Sequence, residues 1–211
     1  MNSKMGIVKL GPADGAYPAF LQDHLGDCAP QAIMALGDPG ILSRRKLALF
    51  CSVRCPGKLI LQTYDLAHKL RHAGVTVIGG FHSPMERECL AVLLRSPNPI
   101  IVCPARAIDG MRVPLERRKP LEDGRLLFLS PFAEKPRRAT VEMAMIRNRF
   151  VAALADRVFV AHAEPSSKTE QFCREVTSWG KPLYTLDDEA NANLVALGAK
   201  AVGVDGVGEW V

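Results

Sequence analysis

The sequence has no apolar run that approaches the ~18 residues of a membrane-spanning helix. Residues 1–8 lack both the long apolar core and the cleavage site of a secretory signal peptide. These two absences argue against a membrane span and against export. We therefore expect a cytoplasmic protein without a membrane partner.

The signatures of common enzyme and nucleotide sites are absent as well. The sequence holds neither a G-x-G-x-x-G loop nor a Walker A motif, both of which cradle phosphates. It has no Ser-His-Asp signature, no pair of carboxylates within one loop and no H-E-x-x-H motif. The candidate loops are mostly basic and small, which suits the binding of anions better than their conversion. We therefore assign no catalytic residue and no cofactor, and favour a binding protein over an enzyme.

Neither the cysteines nor the aromatic residues form a recognisable site. Most of the six cysteines lie in apolar runs, where a reduced cysteine behaves as a small hydrophobic residue. Only Cys51 and Cys55 are close together, and one C-x-x-x-C without a second pair is a weak zinc signal, so we predict no metal site. Few aromatic residues lie near the candidate loops, which predicts only modest stacking on nucleobases: Phe81, Phe132 and Trp179.

What is present describes an ordinary soluble protein. The 211 residues are 48% hydrophobic and 23% charged, and a chain of this length buries a sizeable core in one domain or one and a half. The formal net charge of +5 permits a nucleic acid or a nucleotide phosphate as partner without requiring either.

Two regions differ in composition. Residues 1–44 are rich in Gly, Pro and Asp, which indicates a lead-in segment, with one short helix at 19–24, packed on the main domain. Residues 45–211 alternate between apolar runs and helical patterns. We predict strands at 47–51, 75–78, 99–103, 126–129, 158–161, 183–186 and 201–204. We predict helices at 58–72, from 83 onward, at 140–155, 167–179 and 191–197, with a long polar loop over 104–125.

This alternation predicts an α/β fold, a Rossmann-like and mostly parallel sheet with helices on both faces. In such folds, ligands bind outside the carboxyl ends of the strands. The loops that follow residues 51, 79, 103, 129 and 161 are therefore the candidate binding loops.

The first of these loops offers groups that suit a phosphate. Ser52, Arg54 and Lys58 supply a hydroxyl, a guanidinium and an ammonium next to a predicted helix start. An ordinary turn with solvated basic side chains explains the same residues equally well. After the second strand, Gly79 and Gly80 either let the backbone approach a ligand or make a tight turn.

Glu86 is the best candidate for a ligand carboxylate. It also stands three residues after Ser83, at the position where a capping box places a glutamate, and we favour that structural role.

Two arginines interrupt the helix predicted over 140–155. Arg147 and Arg149 flank Asn148, and residues two apart lie on different faces of a helix, so one arginine is expected to reach the crevice while the other points elsewhere. Further candidates are Arg106 in the polar loop, and Ser167 and Lys168 at a later helix start, where simple capping is the alternative. A loop with Lys135, Arg137 and Arg138 adds basic charge.

The chain resembles the DNA-processing protein A family (DprA, also called Smf). The family's most recognisable segment matches Arg147-Asn148-Arg149 and the residues up to Asp156. Residues 48–54 fall where the family has a strand that ends in Gly-Ser-Arg, and residues 74–80 resemble the strand before its second ligand loop. The family's Gly is absent here, since Cys51-Ser52-Val53-Arg54 has an extra residue before the arginine.

The resemblance implies a protein that binds and protects single-stranded DNA, forms a homodimer and delivers a RecA-type recombinase during DNA uptake or recombination, as in natural transformation. It implies that Arg54, Arg147 and Arg149 face DNA or phosphate, and that Ser52 and Gly80 shape the pocket. We expect a divergent member that ends with the Rossmann-like domain and has no C-terminal winged helix.

Two alternatives stay open. One is a nucleotide-binding sensor or an N-glycoside-cleaving enzyme of the wider Rossmann-like group, in which Glu86 is the carboxylate. The other is an interaction scaffold that has kept the fold and lost the ligand, which the altered Gly-Ser-Arg loop favours.

Overall fold

The computed structural model describes residues 6–133 and 140–211. The strands of the described residues, numbered in chain order, are β1 Val8–Leu10, β2 Ile33–Leu36, β3 Lys46–Phe50, β4 Thr76–Gly79, β5 Ile100–Val102, β6 Leu126–Ser130, β7 Arg157–Val160, β8 Leu183–Leu186 and β9 Lys200–Val202. They form one sheet in the order β1-β2-β6-β5-β4-β3-β7-β8-β9.

The sheet is parallel from β6 to β9, whereas β1 and β2 run antiparallel to their neighbours. The chain builds outward from β3 to β6, then returns to place β7 on the other side of β3. This topology confirms the predicted α/β architecture with a mostly parallel sheet. It brings the carboxyl ends of β3, β4, β5, β6 and β7 to one edge.

Helices cover both faces of the sheet. Within the described residues they are α1 Leu21–Leu25, α2 Gly57–Leu70, α3 Pro84–Leu93, α4 Leu115–Glu122, α5 Val141–Leu154, α6 Lys168–Ser178, α7 Ala192–Ala196 and α8 Val207–Trp210. Short 3₁₀ turns at Gly26–Cys28, Pro39–Ser43 and Glu189–Asn191 complete the connections. None of these helices is both long and apolar enough to cross a membrane.

The central strands send alternate side chains into two separate cores. In β3, Ala48 and Phe50 pack with α1, α5, α6 and α7, whereas Leu47 and Leu49 pack with α2, α3, α4 and α8. All five residues of β3 are buried, as a central strand covered on both faces requires. The apolar runs of the sequence thus place the strands correctly, because the middle of a strand that is covered on both faces is apolar on both sides.

Two parts of the fold differ from the sequence-based expectation. Residues 1–44 contribute β1 and β2 to the sheet, which the Gly- and Pro-rich composition hides because both strands are short. The predicted polar loop over 104–125 contains α4. That helix holds an internal proline and buries only Pro120 and Leu121, so it lacks the apolar periodicity by which a helix is predicted. The basic loop residues Lys135, Arg137 and Arg138 lie outside the described residues.

Candidate functional site

Helix α5 carries the Arg-Asn-Arg segment from the surface into the core. Thr140 caps its first turn, where the hydroxyl oxygen accepts a hydrogen bond from the Met143 amide at 3.2 Å. The first turns are open, and the Val141 side chain is exposed. The last turns, from Phe150 to Leu154, are fully buried against the sheet. The amino end of this helix is therefore free to meet a ligand while its carboxyl end is fixed.

A cavity of about 490 Å³ lies between α5 and the loops that follow β4 and β5. We call it the basic pocket. Its lining is Gly80, His82, Pro104, Ala105, Arg106, Thr140, Val141, Ala144 and Arg147. Two arginines and a histidine contribute to it, and among these described lining residues there is no carboxylate. The pocket therefore presents net positive charge at the carboxyl edge of the sheet.

Arg147 is the buried cation of this pocket, with only 4% of its surface exposed. Its Nη1 donates to the Cys103 carbonyl at 3.0 Å and its Nε to Asn148 Oδ1 at 2.8 Å. Burial lowers the pKa of the guanidinium, and the charge of Glu86 opposes this shift. Within residues 6–133 and 140–211, Arg147 forms no ion pair, and Nη2 makes no hydrogen bond. A buried cation without a contacting anion is costly, so the pocket is suited to an anionic ligand.

Gly80 provides the space that Arg147 occupies. A Cβ atom at position 80 would lie 1.3 Å from Arg147 Nη1 and 1.9 Å from its Cζ. Any side chain larger than hydrogen would displace the guanidinium. The absence of a side chain at Gly80 thus allows Arg147 to pack directly against the backbone after β4.

The loop behind Gly80 is held by Glu86. One carboxylate oxygen accepts from the Cys51 amide at 3.0 Å, and the other from the His82 amide at 2.8 Å and the Ser83 amide at 3.4 Å. Ser83 Oγ accepts from the Glu86 amide, which completes the capping box of α3. With both oxygens engaged and the residue buried, Glu86 joins the ends of β3 and β4 and has little capacity left for a ligand.

Phe81 does not face the pocket. The residue is buried and its backbone is left-handed, with φ of 49°, which is strained for a side chain of this size. Its ring fills the space beside Gly79. The ring is therefore unavailable for stacking on a nucleobase, and Trp179 is likewise engaged in a stack with His24.

The β3–α2 loop does not contribute to the lining of the basic pocket. The Ser52 amide donates to the His162 carbonyl at 2.9 Å, and Ser52 Oγ accepts from the Glu164 amide at 3.4 Å. Arg54 is largely exposed, with Nη1 4.0 Å from Glu164 Oε1. Lys58 pairs with Asp188 at 2.6 Å, and this contact raises the pKa of the ammonium.

A smaller cleft between α5 and α6, of about 60 Å³, contains the remaining candidates. Arg149 Nε lies 2.7 Å and 2.9 Å from the two carboxylate oxygens of Glu175, so its charge is already paired. Asn148 and Lys168 also line this cleft. Ser167 caps α6 by accepting from the Glu170 amide at 3.2 Å.

The structure thus brings three predicted residues together in one pocket: Gly80, Arg106 and Arg147. Gly79 lies in β4 beside them, and the other candidates lie on neighbouring surfaces. Sequence reasoning missed three pocket residues at the start of α5: its capping residue Thr140, and Val141 and Ala144. Thr140 and Ala144 stand seven and three positions before Arg147, on the same helix face, and that spacing is the signal from which these two could have been found. Val141, six positions before Arg147, carries no such signal.

Comparisons with known proteins agree with this fold. A structure of DNA processing protein A from Streptococcus pneumoniae is 19% identical, covers 97% of this chain and 75% of that chain, and has a TM-score of 0.78. A Helicobacter pylori DNA processing protein A, solved for its unique single-stranded DNA binding mode, is 22% identical, with coverages of 99% and 95% and a TM-score of 0.74. A molybdenum cofactor binding protein from Rippkaea orientalis is 12% identical, with coverages of 79% and 94% and a TM-score of 0.54.

At these identities the structures show a shared fold alone. A search of curated proteins finds no match. The family itself is given by sequence: the model described as DNA recombination-mediator protein A matches residues 9–206. This match covers nearly the whole chain and confirms the resemblance carried by the Arg-Asn-Arg segment. The chain therefore belongs to the DNA recombination-mediator protein A family.

Proposed function

We propose that the protein binds single-stranded DNA, with a backbone phosphate in the basic pocket. The observation that carries this proposal is Arg147, a buried guanidinium that has, among the residues the structure describes, one unbonded nitrogen and no contacting carboxylate. A guanidinium fork matches the oxygens of a phosphate, and a charged hydrogen bond of this kind is about twice as strong as a neutral one.

The surroundings of Arg147 support a phosphate ligand. Arg106 is exposed at the rim and free to follow a flexible strand. The amino end of the fourteen-residue helix α5 adds partial positive charge through the backbone amides of its first turn. We include Arg54, Lys58, Asn148, Arg149, Ser167 and Lys168 as contacts along the strand outside the pocket, with Ser52, Gly79 and Gly80 shaping the loops.

The membership in this family extends the proposal to a cellular role. We propose that the protein acts in the cytoplasm, where it protects single-stranded DNA and delivers a RecA-type recombinase during DNA uptake, recombination or natural transformation. We also propose that it acts as a homodimer. The similar H. pylori protein is described by its single-stranded DNA binding, which supports the choice of ligand.

A salt titration of DNA binding tests the proposal. The affinity for a labelled oligonucleotide is measured by fluorescence anisotropy for the wild type, Arg106→Ala and Arg45→Ala. Arg45→Ala is the control, because it removes the same charge at a different place. Arg45 is exposed and precedes β3, at the opposite edge of the sheet from the basic pocket. Loss of one phosphate contact should flatten the slope of log affinity against log salt by about 0.7 in Arg106→Ala only. Equal slopes for all three proteins would reject the basic pocket.

A small phosphorylated nucleotide is the second candidate, because a cavity of about 490 Å³ is within the usual size of small-molecule sites. A thermal-shift series separates the two ligands. Mononucleotides that stabilise the protein as much as oligonucleotides do would favour the small ligand. Stabilisation that grows with oligonucleotide length favours DNA. The engaged carboxylate of Glu86 argues against cleavage of an N-glycoside in either case.

A further inference from the structure

The lining of the basic pocket changes from exposed to buried residues. Arg106 and His82 are exposed, Ala105 and Ala144 are half-buried, and Arg147 keeps only 4% of its surface accessible. The Arg147 guanidinium therefore forms the floor of the pocket, while the other two basic side chains stand at its rim. A ligand that contacts Arg147 must enter the cavity rather than lie across its mouth.

The floor of the pocket offers a cationic donor that small neighbours leave open. Gly80, Ala105 and Ala144 line the pocket beside Arg147, and Nη2 of the guanidinium makes no hydrogen bond to any residue that the structure describes. The first-turn amides of α5 add partial positive charge at the same cavity. Glu142, the acidic residue of that turn, is exposed and lies outside the lining. The floor thus suits an anion of high charge.

The two kinds of phosphate in a DNA strand differ in how far they can enter such a cavity. An internal phosphate carries two ester bonds, so the strand has to pass into and out of the pocket with a sugar on each side. A terminal phosphate carries one ester bond, three free oxygens and a charge of about −1.5 to −2 near pH 7. A cavity of about 490 Å³ has the size of a small-molecule site, which suits one end nucleotide better than a continuous strand.

Resting on the proposed binding of single-stranded DNA, we propose that the basic pocket takes the phosphomonoester at the end of a strand. Arg147 Nη2 donates to one phosphate oxygen at the floor, and Arg106 donates to a second oxygen from the rim. The first-turn amides of α5 face the remaining charge. The next nucleotides leave through the mouth of the pocket and follow the basic residues outside it.

The charge of the end group then determines the preference among ligands. A terminal phosphate offers more acceptor oxygens and more charge to Arg147 and Arg106 than an internal phosphate does. A strand with hydroxyl ends, or a closed circle without ends, leaves Arg147 without this anion. We therefore expect a phosphorylated end to strengthen binding about tenfold, which is the effect of one further charged hydrogen bond.

A comparison of matched single strands tests the proposal. Four oligonucleotides of one sequence carry a fluorophore on the same internal base. The first has a 5′-phosphate, the second a 3′-phosphate, the third hydroxyls at both ends, and the fourth is a closed circle. Fluorescence anisotropy with the wild-type protein should show about tenfold tighter binding of a phosphorylated strand than of the hydroxyl strand and the circle. The end that gives the gain identifies the source of the phosphate.

Substitutions assign the gain to the pocket. Arg147→Gln should abolish it and Arg106→Ala should reduce it, whereas Arg45→Ala, at the opposite edge of the sheet, should preserve it. A gain that survives in Arg147→Gln would overturn the proposal. So would displacement of the phosphorylated strand by an equal concentration of a nucleoside monophosphate, which would assign the pocket to a free nucleotide.

The wild-type comparison decides the matter even if Arg147→Gln fails to fold. Equal affinities for all four strands would overturn the end preference. If Arg106→Ala then still weakened the binding of all four, internal phosphates would occupy the pocket and the proposed DNA-binding function would stand. Weak binding of all four strands that Arg106→Ala leaves unchanged would reject the proposed function and the end preference together.

Discussion

At the residue scale, the contact between Gly80 and Arg147 couples two positions that are distant in the sequence. The guanidinium takes the place of a side chain at position 80. The two residues depend on each other. The Arg147 guanidinium fits only because residue 80 has no side chain, and it fills the space that a side chain at position 80 would take. Helical spacing predicts that Arg147 and Arg149 point in different directions. Only the folded chain shows that Arg147 contacts Gly80 and the Cys103 carbonyl.

The coupling predicts a non-additive pair of substitutions. Gly80→Ala should destabilise the fold by about 1 kcal/mol, because the new Cβ overlaps the end of the Arg147 side chain and forces the guanidinium away from its hydrogen bonds. In the Arg147→Ala background the same change should have a much smaller effect, since the clash is gone. Urea unfolding of the four proteins measures this cycle. Gly57→Ala is the control, because a Cβ there meets no atom within 4 Å. Additive effects of the two substitutions would contradict the coupling.

At the element scale, Glu86 joins the start of α3 to the ends of β3 and β4. Its two carboxylate oxygens accept hydrogen bonds from three backbone amides in the loops after these strands. The sequence predicts the capping role from the Ser83–Glu86 spacing, but the Cys51 amide comes from a loop thirty-five residues earlier. A local pattern cannot indicate such a contact, because it depends on the order of the strands.

Glu86→Gln therefore measures the strength of this link. A glutamine places an NH₂ group against backbone amides, which leaves donors facing donors, and should destabilise the protein by about 1–3 kcal/mol. Glu88→Gln, on the exposed side of the same helix, should change the stability by less than about 0.5 kcal/mol. Urea unfolding of both variants tests the prediction. Similar stabilities would show that the Glu86 carboxylate does not hold the loops.

Lys181 stabilises the other end of α5. Its Nζ donates to the Ala153 and Ala155 carbonyls at 2.8 Å and 2.5 Å, at the carboxyl end of the helix. Burial lowers the pKa of this ammonium to about 8, against its ordinary 10.5, and the charge of Asp156 opposes the shift. Between these two values the unfolded chain binds more protons than the folded one, so a rise in pH through this window favours the folded state.

The prediction compares the wild type with Lys181→Met. The difference in the free energy of unfolding, wild type minus variant, should increase from pH 8 to pH 10.5 and stay flat below pH 8. Urea unfolding of both proteins at several pH values measures this difference. The contributions of the other titrating groups are present in both proteins and cancel in the subtraction. A difference that decreases over this range would show that the folded state holds the Lys181 proton more tightly than the unfolded chain.

At the scale of the whole molecule, the sequence predicts the parallel part of the sheet and the position of its binding edge. Every strand predicted from residue 47 onward is found, with ends that differ by at most two residues. Buried parallel strands are continuous apolar runs, which is why they are visible. Strands β1 and β2 are not visible in the sequence, because they are short and lie at the end of the sheet, where β2 pairs with β6.

The binding edge is less predictable than the fold. The carboxyl-end rule selects five loops, and the basic pocket is lined by two of them, after β4 and β5. Arg54 and Lys58 look as suitable in the sequence as Arg106 does. The choice between them depends on where α5 begins and which cations already have partners, such as Asp188 for Lys58 and Glu175 for Arg149. Both follow only from the tertiary arrangement.

The location of bound DNA tests directly whether the basic pocket is the binding site. A single-stranded oligonucleotide with photoreactive thymidine analogues is cross-linked to the wild-type protein, and the linked peptides are identified by mass spectrometry. We expect cross-links at residues 80–82, 104–106 and 140–147, which unlabelled single-stranded DNA competes away. Competed cross-links confined to other surfaces, with these three segments unlabelled, would contradict it.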